Sequence, residues 1–412
     1  MPSTIWRGRK GAGAVAGACV VICGVAMGFG THSAVAARTR AAAAAPETAK
    51  PTGAPSAQAA AAGKMTQLSA ATIAAIDVAA KSFLMASHTP GLSVAVVVPG
   101  YAAFSRGYGE ADTTTHRAAT SETLFRLASV SKPLTATGAM QLVQAGKLDL
   151  DAPVQKYCAE FPEKPHVITT RELLAHLGGI RHYGDIPNEP EDHNVKHFSD
   201  PISGGITFFA NDKLVNTPGT AFHYSTMGYT LVGCAMEGAS GMKYVEYMTK
   251  NVFAPAHMTH TVEDDSTATI PDRAAFYTVK DGKAIPAPAM DPSYKVPGGG
   301  WLSSADDLAA YEEAMFRDVL VTRATRDTMW TPAKLTDGSL THYGYGFGID
   351  ESNGMKFVAH NGGQEGTSTS IILSPSTNTG IVVLANTDGV DVTALAKALM
   401  KIALAEGNAK TN

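Results

Sequence analysis

The sequence has 412 residues, of which 45% are hydrophobic and only 17% are charged, and its formal net charge is −4. A chain of this length and composition can bury a sizeable core, in one large body or in two lobes. After the first 36 residues there is no stripe of lysine and arginine, so nucleic acids and anionic membranes are not the expected partners. A small-molecule or peptide substrate is expected instead.

The first 36 residues have the pattern of an export signal. Arg7, Arg9 and Lys10 precede an apolar run that extends to about residue 30, and Ala34-Val-Ala36 has the small residues of a signal-peptidase site. The cleaved protein would be periplasmic or secreted, without contact to the membrane. The apolar run is also close to the roughly 20 residues that span a bilayer, so an uncleaved anchor stays an alternative.

The segment from residue 37 to 64 is rich in Ala, Pro, Thr and Gly and poor in large apolar side chains. It cannot bury enough surface to offset its ordering entropy, which predicts a disordered linker. The folded domain is expected over residues 65–412. It begins with an amphipathic helix over 69–87, followed by two strands over 92–98 and 102–108 that a Pro99-Gly100 turn joins.

The pattern is helical through the middle third of the chain and returns to strands near the end. Late strands are predicted over 346–350, 356–359, 367–373 and 380–385, before a closing helix over 391–405. This order predicts an α+β fold, with an antiparallel sheet flanked by helices and an all-α lobe. The sheet part would comprise about residues 65–125 and 290–412, and the helical lobe about 126–289.

Cysteine usage leaves the redox chemistry open. Cys19 and Cys23 belong to the export signal, and Cys158 and Cys234 remain in the folded domain. In an oxidising compartment these two can pair, but two separately buried thiols fit the sequence equally well.

A serine and a lysine three residues apart mark the start of the first helix of the lobe. Ser129-Val-Ser-Lys132 follows an extended segment, so Ser129 is expected at a helix N-terminus, where backbone N–H groups and the helix dipole favour an oxyanion. Positions i and i+3 share a helix face, which puts Lys132 beside the Ser129 hydroxyl. The string alone is weak evidence, since composition produces it about once in a chain of this size.

Two later segments accompany this pair, namely Tyr224-Ser-Thr226 and His360-Asn-Gly-Gly363. Together the three resemble the Ser-x-x-Lys, Tyr-x-Asn and Lys-Thr-Gly or His-x-Gly motifs of the serine β-lactamase and penicillin-binding protein superfamily. The similarity extends from about residue 69 to the end of the chain. Within the superfamily, residues 176–183 and 291–295 are most similar to the mitochondrial serine β-lactamase-like branch and its bacterial relatives.

The resemblance implies the β-lactamase/DD-peptidase fold and an acyl-enzyme mechanism that needs no cofactor and no metal. Ser129 would be the nucleophile, Lys132 the base in acylation and Tyr224 the proton shuttle to the leaving group. The backbone N–H groups of Ser129 and Gly363 would form the oxyanion hole. The residues expected to contact substrate are Thr226, His360, Asn361 and Gly362.

This mechanism requires a base that is unprotonated at neutral pH. An ordinary lysine has a pKa of about 10.4, and bringing it near 7 takes about 4 kcal/mol of differential interaction. Burial of Lys132, or the pairing of its cation with a Tyr224 phenolate, can supply this energy. The sequence does not choose between the two.

Two residues depart from the superfamily pattern. Thr226 stands where many members carry Asn, so a short hydroxyl replaces the amide that grips an acyl-amide substrate. His360 stands where β-lactamases carry Lys, so a permanent cation for a β-lactam carboxylate is missing there. Both departures favour a peptidase, amidase or esterase over an antibiotic-destroying enzyme.

Two other classes of protein remain as alternatives. The mitochondrial branch assembles into filaments, which leaves open a homo-oligomer and a non-catalytic binding or filament-forming scaffold. A metallohydrolase is the rival enzyme class, because His193 and His197 have helical metal-ligand spacing. Asn194 follows the first histidine where a zinc protease carries Glu, so we interpret this segment as a solvated loop.

Overall fold

A computed structural model describes residues 66–186 and 196–411 of the chain. The predicted export signal over residues 1–36 and the predicted linker over residues 37–64 lie outside the described residues, as does His193. The described residues belong to one compact unit.

The strands of the described residues form one large sheet and two small ones. In chain order the strands are β1 (Gly91–Val97), β2 (Phe104–Asp112), β3 (Arg117–Ala118), β4 (Phe125–Arg126), β5 (Val262–Glu263), β6 (Tyr277–Lys280), β7 (Lys283–Pro286), β8 (Trp301–Ser303), β9 (Gly348–Ser352), β10 (Met355–Gln364), β11 (Thr367–Ser374) and β12 (Thr379–Ala385). The large sheet has seven antiparallel strands in the order β3-β2-β1-β12-β11-β10-β9, and β4-β8-β5 and β6-β7 form the small sheets. The central strands β1 and β12 are buried along their whole length, as expected where helices cover both faces.

Helices cover both faces of the large sheet. The α-helices of the described residues are α1 (Ala70–Ser87), α2 (Ser131–Gln144), α3 (Thr170–Leu174), α4 (Pro201–Ile206), α5 (Thr226–Ser240), α6 (Tyr244–Met248), α7 (Val296–Gly299), α8 (Ala305–Phe316), α9 (Arg323–Met329) and α10 (Val392–Thr411). On one face α1 and α10 bury Ile76, Ala80, Leu395 and Leu399 against the strands, and on the other α8 packs on β1 and β12.

Helix α1 is long and apolar enough to cross a membrane by length and composition alone, with a mean hydropathy of 1.4 over 18 residues. In this fold it packs on the sheet, where Ile76 and Ala80 are fully buried. The backbone N–H of Ser69 and the hydroxyl of Thr72 donate hydrogen bonds to the Glu406 carboxylate on α10, at 2.7 and 2.6 Å. Helix α1 is therefore an integral part of the domain.

The centre of the helical lobe is the pair α2 and α5. A Cβ atom at Gly138 of α2 would lie 2.8 Å from the side chains of both Met236 and Met248, so glycine permits the close approach of these helices. Cys158, in the segment after α2, forms a disulfide with Cys234 of α5. The structure thus decides the pairing that the sequence left open.

The helices and strands predicted from the sequence agree with the structure, apart from two differences, of which the first affects the site. The strand predicted over 356–359 continues to Gln364 as part of β10, so His360 to Gly363 are extended and Gly362 pairs with Thr369 of β11. Asn and Gly are depleted in strands, and only the ladder with β11 keeps them extended. In the stretch predicted as an all-α lobe, the described residues after Arg126 contain helices and loops up to Phe253 and then β5 and the β6–β7 hairpin.

Candidate active site

The backbone before Ser129 is held in a strained conformation. Strand β4 pairs with β8, and the Leu127 N–H donates to the Trp301 carbonyl at 2.8 Å. Ala128 then adopts a left-handed φ of 46°, which costs a residue with a side chain about 1–3 kcal/mol. Ser129 follows in a single 3-10 turn directly before α2. The nucleophile expected from the sequence therefore lies at the entrance to a helix, as its position predicts.

Two threonines of β11 anchor this strained segment. The Thr367 hydroxyl donates to the Arg126 carbonyl at 2.9 Å, and the Thr369 hydroxyl donates to the Leu127 carbonyl at 2.8 Å. Both threonines are fully buried. Because these hydrogen bonds join residues more than 200 positions apart, the sheet itself fixes the position of Ser129.

The side chain of Lys132 is fully buried beside Ser129. Its Nζ lies 3.0 Å from Ser129 Oγ, 3.1 Å from Thr226 Oγ1 and 2.7 Å from the Gly298 carbonyl oxygen. Burial holds the pKa of Lys132 well below its ordinary value, and the nearby Lys295 cation lowers it further. The amine is therefore neutral at a pH where an exposed lysine is charged.

Tyr224 approaches the same hydroxyl from the start of α5. Its phenol is hydrogen-bonded to the Ser129 side chain, and burial raises its pKa above the ordinary value. Lys132 Nζ lies 4.9 Å from the centre of the Tyr224 ring. Of the two arrangements that the sequence left open, the structure favours a neutral Lys132 beside a protonated Tyr224. Burial disfavours a buried cation and phenolate alike.

The expected substrate-contacting residues already have partners within the protein. Thr226 is 3% exposed and its hydroxyl faces Lys132. His360 has Nδ1 2.7 Å from the Asn361 carbonyl oxygen and Nε2 2.9 Å from the Tyr343 hydroxyl, and burial lowers its pKa to about 3. The Asn361 side-chain oxygen accepts a hydrogen bond from Ser370. Their roles toward substrate stay predictions.

The two glycines of this segment differ in their surroundings. Gly362 is packed so closely that an added Cβ would lie 2.3 Å from the Leu127 carbonyl oxygen, whereas a Cβ at Gly363 would meet nothing within 4 Å. Gly363 is exposed, so its side of β10 is open to a ligand. The oxyanion-hole role of Ser129 and Gly363 stays a prediction.

Two neutral histidines, for which the sequence indicated no role, support Tyr224. His176 is 2% exposed, its Nδ1 accepts from the Ser225 N–H at 3.1 Å, and its ring lies 4.2 Å from the Tyr224 ring. His182 Nδ1 accepts from the Thr226 N–H at 3.3 Å, and burial lowers its pKa to about 3. Both histidines thus bind backbone N–H groups directly after Tyr224, at the start of α5, and they fix the position of Tyr224. The one feature of the sequence that could have indicated this role is that both lie in residues 176–183, a segment similar to the mitochondrial branch.

The rival metal site receives no support from the described residues. His197 Nδ1 lies 3.0 Å from the Asp291 carboxylate, and His193 lies outside the described residues. The one group of potential ligands in the described part of the chain is Cys158, Glu160 and Cys234. Its two sulfurs are bonded to each other, and a disulfide does not offer the thiolates that metals bind.

With this geometry established, comparison with known proteins identifies the family. The β-lactamase family model matches residues 34–404, and the chain therefore belongs to the β-lactamase family. The human mitochondrial serine β-lactamase-like protein LACTB is 32% identical over an alignment of 378 residues, and the match covers 69% of this chain and 69% of the relative. The superfamily expected from the three motifs is confirmed.

Solved structures agree with this assignment. The octameric penicillin-binding protein homologue from Pyrococcus abyssi superposes with a TM-score of 0.69 at 27% identity, and the match covers 81% of this chain and 77% of that one. The D-amino acid amidase from Ochrobactrum anthropi SV3 gives a TM-score of 0.69 at 22% identity, with 83% and 100% covered. The predicted α+β fold of the β-lactamase and penicillin-binding protein class is confirmed.

Proposed function

We propose that this protein is an exported serine hydrolase that cleaves amide, peptide or ester bonds through an acyl-enzyme at Ser129. One observation carries the proposal. The amine of the buried Lys132, whose pKa burial lowers, lies 3.0 Å from the Ser129 hydroxyl, and Tyr224 is hydrogen-bonded to the same group. A nucleophile and a base within hydrogen-bond reach, oriented by a third group, are the signature of covalent catalysis.

The contacts of Lys132 suit the role of base. A neutral amine has two N–H donors and one lone pair. The Gly298 carbonyl can only accept a hydrogen bond, and the Thr226 hydroxyl accepts the second N–H. The lone pair is then directed at the Ser129 O–H. Thr226 thus orients the amine of Lys132. Many relatives carry an asparagine amide at this position.

Acylation follows from this arrangement. The Ser129 oxygen bonds to the substrate carbonyl carbon as its proton passes to Lys132, and the N–H groups of Ser129 and Gly363 stabilise the oxyanion. When the intermediate collapses, Tyr224 gives its phenolic proton to the departing nitrogen or oxygen and is reprotonated by the Lys132 ammonium. Water then attacks the Ser129 ester along the reverse proton path, which releases the acid and restores the enzyme.

The chemistry around His360 favours ordinary acyl substrates over β-lactams. The position that carries a lysine in β-lactamases holds an imidazole whose pKa is about 3 and whose two nitrogens are both occupied. It offers no positive charge to a carboxylate on the leaving-group side. We therefore propose amide, peptide or ester substrates whose leaving group is uncharged near His360.

Export is proposed from two observations of different kinds. Residues 1–36 have the composition of a signal, and the disulfide between Cys158 and Cys234 fits an oxidising compartment. The human relative is named as a mitochondrial protein. N-terminal sequencing of the protein from fractionated cells tests this proposal. A mature end near residue 37 in a non-cytoplasmic fraction is expected, and an intact chain in the cytoplasm would contradict it.

The proposed activity is tested by covalent labelling. The purified protein is exposed to a fluorophosphonate probe, and the adduct is located by mass spectrometry. Labelling at Ser129 is expected, with loss in Ser129→Ala and Lys132→Ala. Lys147→Ala is the matched control, because Lys147 is exposed beyond the far end of α2. The absence of an adduct between about pH 6 and pH 10, where either protonation state of the base is sampled, would favour the non-catalytic scaffold.

A further inference from the structure

A buried hydroxyl on α2 lies one turn beyond the base. Thr135 follows Lys132 at the i+3 position, so the two side chains share a face of α2, and Thr135 is fully buried. Its Oγ1 lies 2.6 Å from the Pro297 carbonyl oxygen. The next carbonyl along the chain is that of Gly298, whose oxygen lies 2.7 Å from Lys132 Nζ. Thr135 and Lys132 therefore bind consecutive carbonyl groups of α7.

The donors and acceptors around Thr135 determine the direction of each hydrogen bond. The indole Nε1 of Trp301 can only donate, and it lies 3.1 Å from the Tyr244 hydroxyl. Burial raises the pKa of Tyr244 above its ordinary value, so the phenol keeps its proton and donates it to Thr135 Oγ1 at 2.6 Å. The Thr135 hydroxyl then donates its one hydrogen to a carbonyl, and the Pro297 oxygen at 2.6 Å is closer than the Ser131 oxygen at 3.1 Å. These hydrogen bonds form one series, from Trp301 through Tyr244 and Thr135 to Pro297.

The same series is joined to the segment before the nucleophile. The Trp301 carbonyl accepts a hydrogen bond from the Leu127 N–H at 2.8 Å, two residues before Ser129. Trp301 and Tyr244 are each 1% exposed, so water does not compete for their hydrogen bonds. The series therefore connects the carbonyl groups that face the base with the backbone that carries Ser129.

The direction of the Gly298 carbonyl depends on such an anchor. A Cβ at this position would lie 2.6 Å from Thr226 Cγ2 and 2.9 Å from the Thr226 carbonyl oxygen, so the packing of α7 on α5 requires glycine here. Glycine has the least restricted backbone of all residues, and its carbonyl can rotate unless its neighbours are held. The hydrogen bond from Thr135 holds the preceding carbonyl, that of Pro297.

The lone pair of the base depends on this carbonyl in turn. In the proposed mechanism, the Gly298 carbonyl accepts one N–H of the Lys132 amine and so helps to direct the lone pair at Ser129. We propose that Thr135 and Tyr244 are positioning residues, which fix the Gly298 carbonyl and thereby orient the base. The proposal rests on the proposed hydrolase function, because it concerns the base of the same reaction. Both side chains are buried, so their removal should slow the chemical step without weakening the binding of a substrate or probe.

Another face of α2 offers a matched control. Thr137 is also fully buried, and its Oγ1 lies 2.9 Å from the Tyr311 hydroxyl and 3.0 Å from the Pro133 carbonyl oxygen. This second threonine–tyrosine pair joins α2 to α8 instead of α7. A loss of stability alone would affect the two pairs alike, whereas positioning of the base involves only the pair of Thr135 and Tyr244.

The kinetics of fluorophosphonate labelling at Ser129 test the proposal, at a temperature well below the Tm of every variant. Thr135→Val keeps the shape and removes the hydroxyl, and Tyr244→Phe removes its donor. Both are expected to lower the maximal labelling rate on the order of 10- to 100-fold, with the half-saturating probe concentration unchanged. Thr135→Ser keeps the hydroxyl and loses a methyl group, so it should retain the rate even where its Tm falls. Thr137→Val and Tyr311→Phe should label at the natural rate, and an equal loss in both pairs, or a rate that follows Tm, would overturn the proposal.

Crystal structures of two variants separate this proposal from the hydrolase proposal. The distance from Lys132 Nζ to the Gly298 oxygen is expected to exceed about 3.2 Å in Thr135→Val, beyond the usual range of a hydrogen bond, and to stay at 2.7 Å in Thr137→Val. If the natural sequence is not labelled, the hydrolase proposal fails while this distance still decides what positions Lys132. An unchanged distance in Thr135→Val would overturn the positioning role.

Discussion

The close approach of β10 to the segment before Ser129 makes Gly362→Ala an informative change. The new Cβ would lie 2.2 Å from Thr369 Oγ1, 2.3 Å from the Leu127 carbonyl oxygen and 3.1 Å from the Ala128 Cβ. The first two distances are about an ångström short of an ordinary van der Waals contact. Since Thr369 holds Leu127 through a 2.8 Å hydrogen bond, the methyl group must push this bond apart.

The size of the effect follows from these contacts. Overpacking of a filled site costs about 1–3 kcal/mol, and a buried carbonyl that loses its donor costs about 1–3 kcal/mol more. For a unit of this size, a loss of about 3 kcal/mol lowers Tm by roughly 4 °C. A displacement of Ser129 by about 1 Å is enough to slow the chemistry by about 100-fold.

Gly363→Ala is the matched comparison for stability, because a Cβ there meets nothing within 4 Å and its free energy of unfolding should change by less than about 0.5 kcal/mol. Thermal unfolding and the rate of fluorophosphonate labelling at Ser129 are measured for Gly362→Ala beside the natural sequence. If Gly362→Ala unfolds within about 1 °C of Gly363→Ala and labels at the natural rate, the packing of β10 against Leu127 does not position the nucleophile.

Two further results are expected. In the proposed mechanism the neutral amine of Lys132 is the active form, and burial lowers its pKa. Labelling should therefore slow as pH falls through that pKa and be level before the ordinary lysine value of about 10.4 is reached; a rate that still climbs beyond that value would contradict this. Replacing Cys158 and Cys234 together by serine opens a loop of 76 residues, and urea unfolding should show a loss of about 4 kcal/mol; a loss below about 1 kcal/mol would exclude a stabilising role.

Local patterns predicted the parts of the site that depend on neighbours in the chain. The i, i+3 spacing put Lys132 beside Ser129, and Nζ and Oγ lie 3.0 Å apart. Alternating and continuous apolar runs predicted the strands of the large sheet except β3, whereas the strands of the small sheets were not predicted. The pattern ended β10 before His360, because Asn and Gly are poor strand formers and only the ladder with β11 extends them.

The sequence by itself determined the order of the three motifs, the α+β class and the placement of Lys132 beside Ser129, because each depends on periodicity or on residues a turn apart. The tertiary structure alone decided that Cys158 meets Cys234, that Thr369 holds the Leu127 carbonyl and that His176 accepts from the Ser225 N–H. These contacts join segments that are distant in the chain. Their geometry is set by how helices and sheet pack, which no local pattern of residues encodes.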